Sequence, residues 1–296
     1  MTDLVVRPLV AGEENVFDSM PDPLPQLRQP SYASGLASGG FHPDRTWIAL
    51  RGGQVVGRAA WLLPPGAVGE PWLERFDLAA EPEVGQALLH AAHAALGGAK
   101  PYYATMPPRW RDRPDVLAAV EAPMAAARLA GLVERAERIR FAWAASTPTP
   151  TASGRLEFRP ASAAEEINAL VAGIDEPVLV TGVEAARLVR GVDLARKPLD
   201  WLTGPPQDWR IALRGGEPVG LAAAAGDACY PMIAYLGVLG EGVLGELLAD
   251  SARALAANGA LEVVADVDAD RPSVIAEVER IGFVAVRSRL LFDPSQ

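Results

Sequence analysis

Gly240-Glu241-Gly242-Val243-Leu244-Gly245 follows an apolar run and opens a helical pattern, and Asp266 stands beyond it. Glycines at that spacing bring bare N–H groups at a helix N-terminus close to a phosphate, which is diphosphate-binding chemistry. A dinucleotide fold would need further parallel βαβ units, whereas an antiparallel hairpin precedes this motif and little chain follows Asp266. Asp266-x-Asp268-x-Asp270 with Glu277 has the acid spacing of a calcium loop. Arg271 stands where such a loop needs a glycine and a strand precedes it, so no metal is expected. His90 and His93 lie three apart without an evident third ligand. Asp227, Asp266 and Asp268, with Tyr230 and Tyr235, are side chains of types that can move a proton. No G-x-S-x-G is present, which leaves hydrolase chemistry unsupported. The basic stretch Arg109-Trp-Arg-Asp-Arg113 sits in a proline-bracketed loop and could clamp an anion.

These residues must be positioned by the elements around them. In the second half, Leu156 to Ala161 reads as a strand and Ser162 with Glu165 as a capping box opening a helix. Arg210 to Leu213 and Pro218 to Ala225 flank Arg-Gly-Gly-Glu as a hairpin. Cys229 to Leu239 is an apolar strand. Leu244, Leu247, Leu248, Ser251 and Leu255 then share a helical face that Gly259 ends. Leu261 to Asp268 is a buried-type strand, Ser273 to Ile281 a helix and Val284 to Phe292 a last strand.

The chain says much of this twice. Ile-Ala-Leu-Arg-Gly-Gly occurs at 48–53 and at 211–216, each followed by Val-Gly (Val56-Gly57 and Val219-Gly220). The flanks repeat in order: Leu4 to Leu9 with Leu156 to Ala161, Glu83 to Gly98 with Val243 to Gly259, and the closing runs Glu137 to Ala144 and Val286 to Asp293. A duplicated domain accounts for this. The proline-rich stretch 146–154 is the linker, between an N-terminal domain at 1–145 and a C-terminal domain at 155–296.

Composition excludes several classes. The net charge is −10, which disfavours nucleic acid, whose phosphates need clustered Lys and Arg. No apolar stretch is long enough for a membrane span and no signal peptide is evident, so a cytoplasmic protein is expected. One cysteine, Cys229, allows no internal disulfide.

The element order, together with "IAYLGVL", "GELLADSARALAANGALEVVADVD" and the closing "ERIGF", resembles the GNAT superfamily of N-acetyltransferases. Nearly the whole chain looks like a tandem pair of such domains. The resemblance implies an α/β fold (mixed α+β) in which each domain is a twisted mixed sheet flanked by helices and splayed to admit acetyl-CoA. The pantetheine arm would pair with the backbone of Leu236, Gly237 and Val238, and the pyrophosphate would rest on Gly240, Gly242 and Gly245. The implied activity is acyl-CoA-dependent N-acetyltransfer to a small-molecule or peptide amine, by direct attack of the amine on the thioester. Asp227, Tyr235 and Asp268 are the candidate proton-moving groups, and a non-catalytic GNAT-derived binding protein is the alternative. The sequence departs from the family at the cofactor loop, which is short, lacks Arg or Gln and carries Glu241. It departs again at Val278, where the family often has a tyrosine. In the first half only Gly85 stands among Asp77, Glu81 and Glu83, so the first domain is expected to be degenerate and the second to take the cofactor.

Overall fold

The computed structural model describes residues 3–148, 153–226 and 231–295. In chain order the first elements are β1 (Leu4–Pro8), α1 (Glu14–Phe17), α2 (Tyr32–Ala37), β2 (Thr46–Arg51), β3 (Gln54–Leu62) and β4 (Trp72–Leu78). Then come α3 (Pro82–Ala95), β5 (Tyr102–Met106), α4 (Pro114–Leu129) and β6 (Leu132–Ala144). The repeat continues with β7 (Glu157–Pro160), α5 (Ala164–Ala172), β8 (Leu179–Val180), α6 (Val183–Arg190), β9 (Trp209–Arg214) and β10 (Glu217–Gly226). It ends with β11 (Pro231–Val238), α7 (Leu244–Ala257), β12 (Glu262–Asp268), α8 (Pro272–Arg280) and β13 (Val284–Pro294).

The chain forms two compact units, Met1–Glu137 with Arg287–Gln296, and Arg138–Val286. A division at 1–145, 146–154 and 155–296 follows chain order; these units do not. In the first unit β5 has β13 as its antiparallel neighbour, with Tyr102 opposite Phe292 and Thr105 opposite Arg289. In the second, β12 pairs with the later part of β6, from Glu262 opposite Ala144 to Asp268 opposite Arg138. Each unit is therefore closed by the strand that chain order assigns to the other. The side chains follow the pairing: Leu290 and Phe292 are buried in the first unit's core, and Phe141 and Trp143 in the second's. Of the expected linker, residues 149–152 lie outside the described residues.

In the first unit the strand order is β1-β2-β3-β4-β5-β13, and in the second β6-β12-β11-β10-β9-β7, with β8 attached to β11. Period-two alternation gives each sheet two apolar faces. Ala49, Ala59 and Trp61 join the core under α3 and α4, while Ile48 and Ala60 join Phe17, Tyr32 and Phe41 on the opposite face. In the second unit Ala212, Ala222 and Leu236 pack with Leu247, Leu248 and Val278, whereas Ile211, Leu221 and Tyr235 pack with Ile167 and Ala186.

The doubled Ile-Ala-Leu-Arg-Gly-Gly is a doubled hairpin. Gly52 and Gly53 have φ of 59° and 81°, and Gly215 and Gly216 have 58° and 86°, the two left-handed positions of a tight β-turn that only glycine fills without strain. The Val-Gly that follows is also structural: a Cβ on Gly57 would lie 3.1 Å from Leu78, and one on Gly220 would lie 3.0 Å from Val243. The capping box expected from Ser162 and Glu165 is shifted. The helix starts after Ala163 without a side-chain cap, and it is the Glu166 carboxylate that accepts from the Ser162 N–H at 2.9 Å and its hydroxyl at 2.8 Å.

Candidate functional site

The same local irregularity recurs in both units. The register of β3 on β4 slips so that Glu74 has no opposite residue, and that of β10 on β11 slips so that Ala234 has none. A bulge bends its strand and increases the local twist. Beyond it the next strand is held by one registered pair only, Leu73 with Tyr102 in the first unit and Met232 with Val264 in the second. In each unit the two strands then part, and the gap that opens within the unit exposes a strand edge to which an extended segment can add.

In the second unit that gap contains the protein's own chain. β8 pairs antiparallel with β11, Tyr235 opposite Val180 and Leu236 opposite Leu179. Val178 N–H donates to the Leu236 carbonyl at 2.8 Å and Thr181 N–H to the Ala234 carbonyl at 3.0 Å. Thr181 Oγ1 donates to the Ile233 carbonyl at 2.7 Å and accepts from the Asp266 N–H at 3.0 Å, so one hydroxyl joins β11 to β12. Arg271 fixes the approach by donating to the carbonyls of Pro177 at 2.8 Å and Val178 at 3.1 Å.

The residues expected to hold acetyl-CoA are placed as follows. Leu236 is fully buried, with its carbonyl taken by Val178. Gly237 and Val238 pair with Leu221 and Gly220 of β10, and Ile174 packs so tightly on Gly237 that a Cβ there would collide with it. Gly240 lies beside Arg214, and Gly242 adopts φ of 69° facing open space. Gly245 serves helix packing: a Cβ there would run into the Glu277 carboxylate and Arg280, which are paired to each other at 2.7 Å. Its counterpart Gly85 does the same for α3 and α4, where a Cβ would stand 2.6 Å from Ala126. Arg280 holds the Glu277 carboxyl below its ordinary range, which keeps a negative charge over the start of α7.

The proton-moving candidates are scattered. Asp227 and Tyr230, with Cys229, lie outside the described residues. The Tyr235 hydroxyl is buried without a hydrogen-bond partner, and burial pushes it up to about 12. Asp268 pairs with Arg138 at 3.1 Å, and Asp266 receives Arg140 at 2.6 and 2.8 Å. These acids balance structural arginines. Arg109, Arg111 and Arg113 are likewise paired, with Asp112, Glu137 and Asp115. Val278 is core. Among the described residues no three His, Cys, Asp or Glu side chains converge as a metal site, and no helix is long and apolar enough to cross a membrane.

The first unit differs. Its gap between β4 and β5 is a polar cleft, lined by Asp22, Glu74, Arg75, Asp77, Tyr102 and Thr105, with Ala119 of α4 also on its wall. Arg75 is almost fully buried; its Nη1 donates to the Pro30 carbonyl at 3.0 Å, but its Nε has no hydrogen-bond partner. Burial, followed by repulsion from Arg58, lowers the pKa of this guanidinium. Thr105 Oγ1 is also buried without a partner. Unsatisfied buried groups of this kind cost about 1–3 kcal/mol each, and these two belong to residues that line one cleft. The carboxylates divide by commitment. Glu74 accepts from Trp72 Nε1 at 2.7 Å and Arg289 Nη2 at 2.9 Å. Asp77 is bound to Arg58 at 2.6 Å, and Arg58 also donates to the carbonyls of Phe17 and Met20. Asp22 accepts only the Leu24 N–H, on Oδ1, leaving Oδ2 uncommitted among the described residues. Burial holds the Tyr102 phenol protonated far above its ordinary range.

The signal for this cleft is in the sequence. Trp72-Leu-Glu-Arg-Phe-Asp-Leu78 places three charges in a strand flanked on both sides by others, whereas its repeat partner Met232 to Val238 has none. Charges in a central strand have no solvent to face and need partners or a purpose.

The repeated arginines also reach equivalent places. Arg51 pairs with Glu81 at the start of α3, and Arg214 Nη2 donates to the Glu241 carbonyl at 2.7 Å ahead of α7. Each unit thus sets a cation beside a helix N-terminus. In the first unit Glu81 already takes that cation, and Pro82 withholds one N–H.

No protein-family model and no curated protein matches the sequence. In structure the chain is similar to a GCN5-related N-acetyltransferase from Sphaerobacter thermophilus, with a TM-score of 0.60 and 12% identity over 98% of this chain and 94% of that one. A tandem GNAT protein from the clavulanic acid biosynthesis pathway aligns with a TM-score of 0.46 and 18% identity, over 99% of this chain and all of that one. A GNAT-family acetyltransferase from Colwellia psychrerythraea aligns at 0.48 and 12%, over 98% of this chain and all of that one. The first of these similarities shows the fold, a mixed α/β architecture of the GNAT type over 98% of this chain.

Proposed function

On the premise of a GNAT fold carried twice, we propose that this chain is an acyl-CoA-dependent N-acetyltransferase acting on a small-molecule or peptide amine, with its working cleft in the first unit. The observation that carries this reading is the pair of orphaned buried groups, Arg75 Nε–H and Thr105 Oγ1, in the opening between β4 and β5. The sequence expectation put the cofactor in the second unit; there β8 uses the strand edge the pantetheine arm would need, and those residues do not fit it.

The first unit's residues fit the thioester end of acetyl-CoA, with polar donors unpaired along a strand edge. They fit the diphosphate end only once Glu81 leaves Arg51. Bound there, acetyl-CoA would supply an acyl group activated for transfer to an amine. Asp22 Oδ2 is the cleft carboxylate oxygen free to hold the substrate ammonium and accept its proton. Arg75 Nε–H is placed to stabilise negative charge on a carbonyl oxygen in a site where burial strengthens it. Glu74, held by Trp72 and Arg289, keeps the bulged strand in shape. The second unit, with its gap filled from within, is read as a non-catalytic partner. Free-thiol release from acetyl-CoA across an amine panel tests this: turnover should appear with the wild type and fall about a hundredfold or more in Asp22→Asn. Full turnover in that variant would remove Asp22 from the reaction.

A further inference from the structure

The second unit has a cavity of about 330 Å³ that the acyl-transfer reading does not use. It opens between α6, the 201–209 segment and the strand residues Ala225 and Met232. That volume is within the range of small-molecule sites.

Its lining is mostly apolar, with Trp201, Leu202, Met232 and Ala185, and it holds one acid and one base. The Asp208 carboxylate belongs to a half-buried residue and has neither a hydrogen-bond nor an ion-pair partner among the described residues. Burial alone raises its pKa. The backbone makes room for this carboxylate: a Cβ on Gly204 would lie 2.5 Å from Asp208 Oδ2. Arg190 likewise has no acidic partner among the described residues, and its guanidinium sits 5.3 Å from the centre of the Trp201 ring. An aromatic face holds a guanidinium in place while leaving its N–H edges available.

A half-buried carboxylate and an exposed guanidinium resting on an aromatic face, unpaired around one apolar space, are complementary to a ligand with both charges and an apolar body. A simple cation would meet Arg190, and a simple anion would meet Asp208. We infer that this cavity binds a free α-amino acid with an apolar side chain, its ammonium on Asp208, its carboxylate on Arg190 and its side chain against Trp201 and Met232. The assignment is independent of catalysis in the first unit.

Calorimetric titration of the full chain with L-leucine, isoamylamine and 4-methylpentanoate separates the contributions. L-leucine should bind, and the other two, each lacking one charge, should bind about tenfold more weakly or not at all. Asp208→Asn and Arg190→Gln should each weaken L-leucine by about tenfold or more, with melting temperatures near the wild type because neither side chain is in the core. Gly204→Ala, which pushes the carboxylate aside, should act in the same direction. Absence of binding by L-leucine, L-methionine and L-phenylalanine, equal binding of isoamylamine, or undiminished binding in Asp208→Asn would each overturn the inference.

Discussion

Arg289 Nη2 donates to Glu74 Oε1 at 2.9 Å, a contact between residues 215 positions apart. The last strand of the chain thereby supplies the cation that holds the bulged carboxylate of β4. Arg289→Met should leave Glu74 with Trp72 as its one side-chain donor among the described residues and loosen the cleft. Steady-state kinetics should show kcat/KM falling by about tenfold, with Arg289→Lys recovering part of the loss. Unchanged kinetics would mean that the pair shapes the sheet without reaching the reaction.

Glu81 stands where the resemblance places a diphosphate, paired with Arg51, which holds its carboxyl below the ordinary range. Glu81→Gln removes a competing charge from a helix N-terminus and frees the cation. Acetyl-CoA should bind about two- to fivefold more tightly by calorimetry. Acetyl-pantetheine separates the contribution: it has no diphosphate, so the gain should vanish with it.

His93 is buried against Trp61, with ring centroids 5.8 Å apart, and burial pushes its imidazole down to about 4. The folded chain holds it neutral, whereas the unfolded chain protonates it near 6.5. Between pH 6.5 and 4 the unfolded state therefore binds more protons, and stability should fall as pH falls through that window, flattening below it. Urea unfolding from pH 7 to pH 4 should show this slope, and His93→Leu should remove its share. An unaltered slope in that variant would assign the dependence to other groups.

The order of elements was legible because hydrophobic periodicity and the Arg-Gly-Gly turns are local. Gly52, Gly53, Gly215 and Gly216 have the positive φ that the hairpins require. The glycines of the apparent phosphate motif were legible only as glycines: Gly245 is small because α8 lies against it, a tertiary cause invisible in spacing. The closing strands illustrate a second limit. Val286 to Asp293 reads the same whether it pairs within its own repeat or with β5, and long-range pairing alone decides. β8, which fills the second gap, is two residues long and offers no pattern to read. By contrast, the three charges of β4 are legible in the sequence itself.

The most direct measurement is calorimetric titration of acetyl-CoA into the wild type, Ala119→Trp, which fills the first cleft from α4, and Thr181→Val, which removes the hydroxyl joining β11 to β12. The wild type should bind at one site per chain, Ala119→Trp should lose that binding with its fold intact by circular dichroism, and Thr181→Val should keep wild-type affinity. Absence of binding by the wild type at millimolar acetyl-CoA, or retention by Ala119→Trp, would contradict binding in the first cleft.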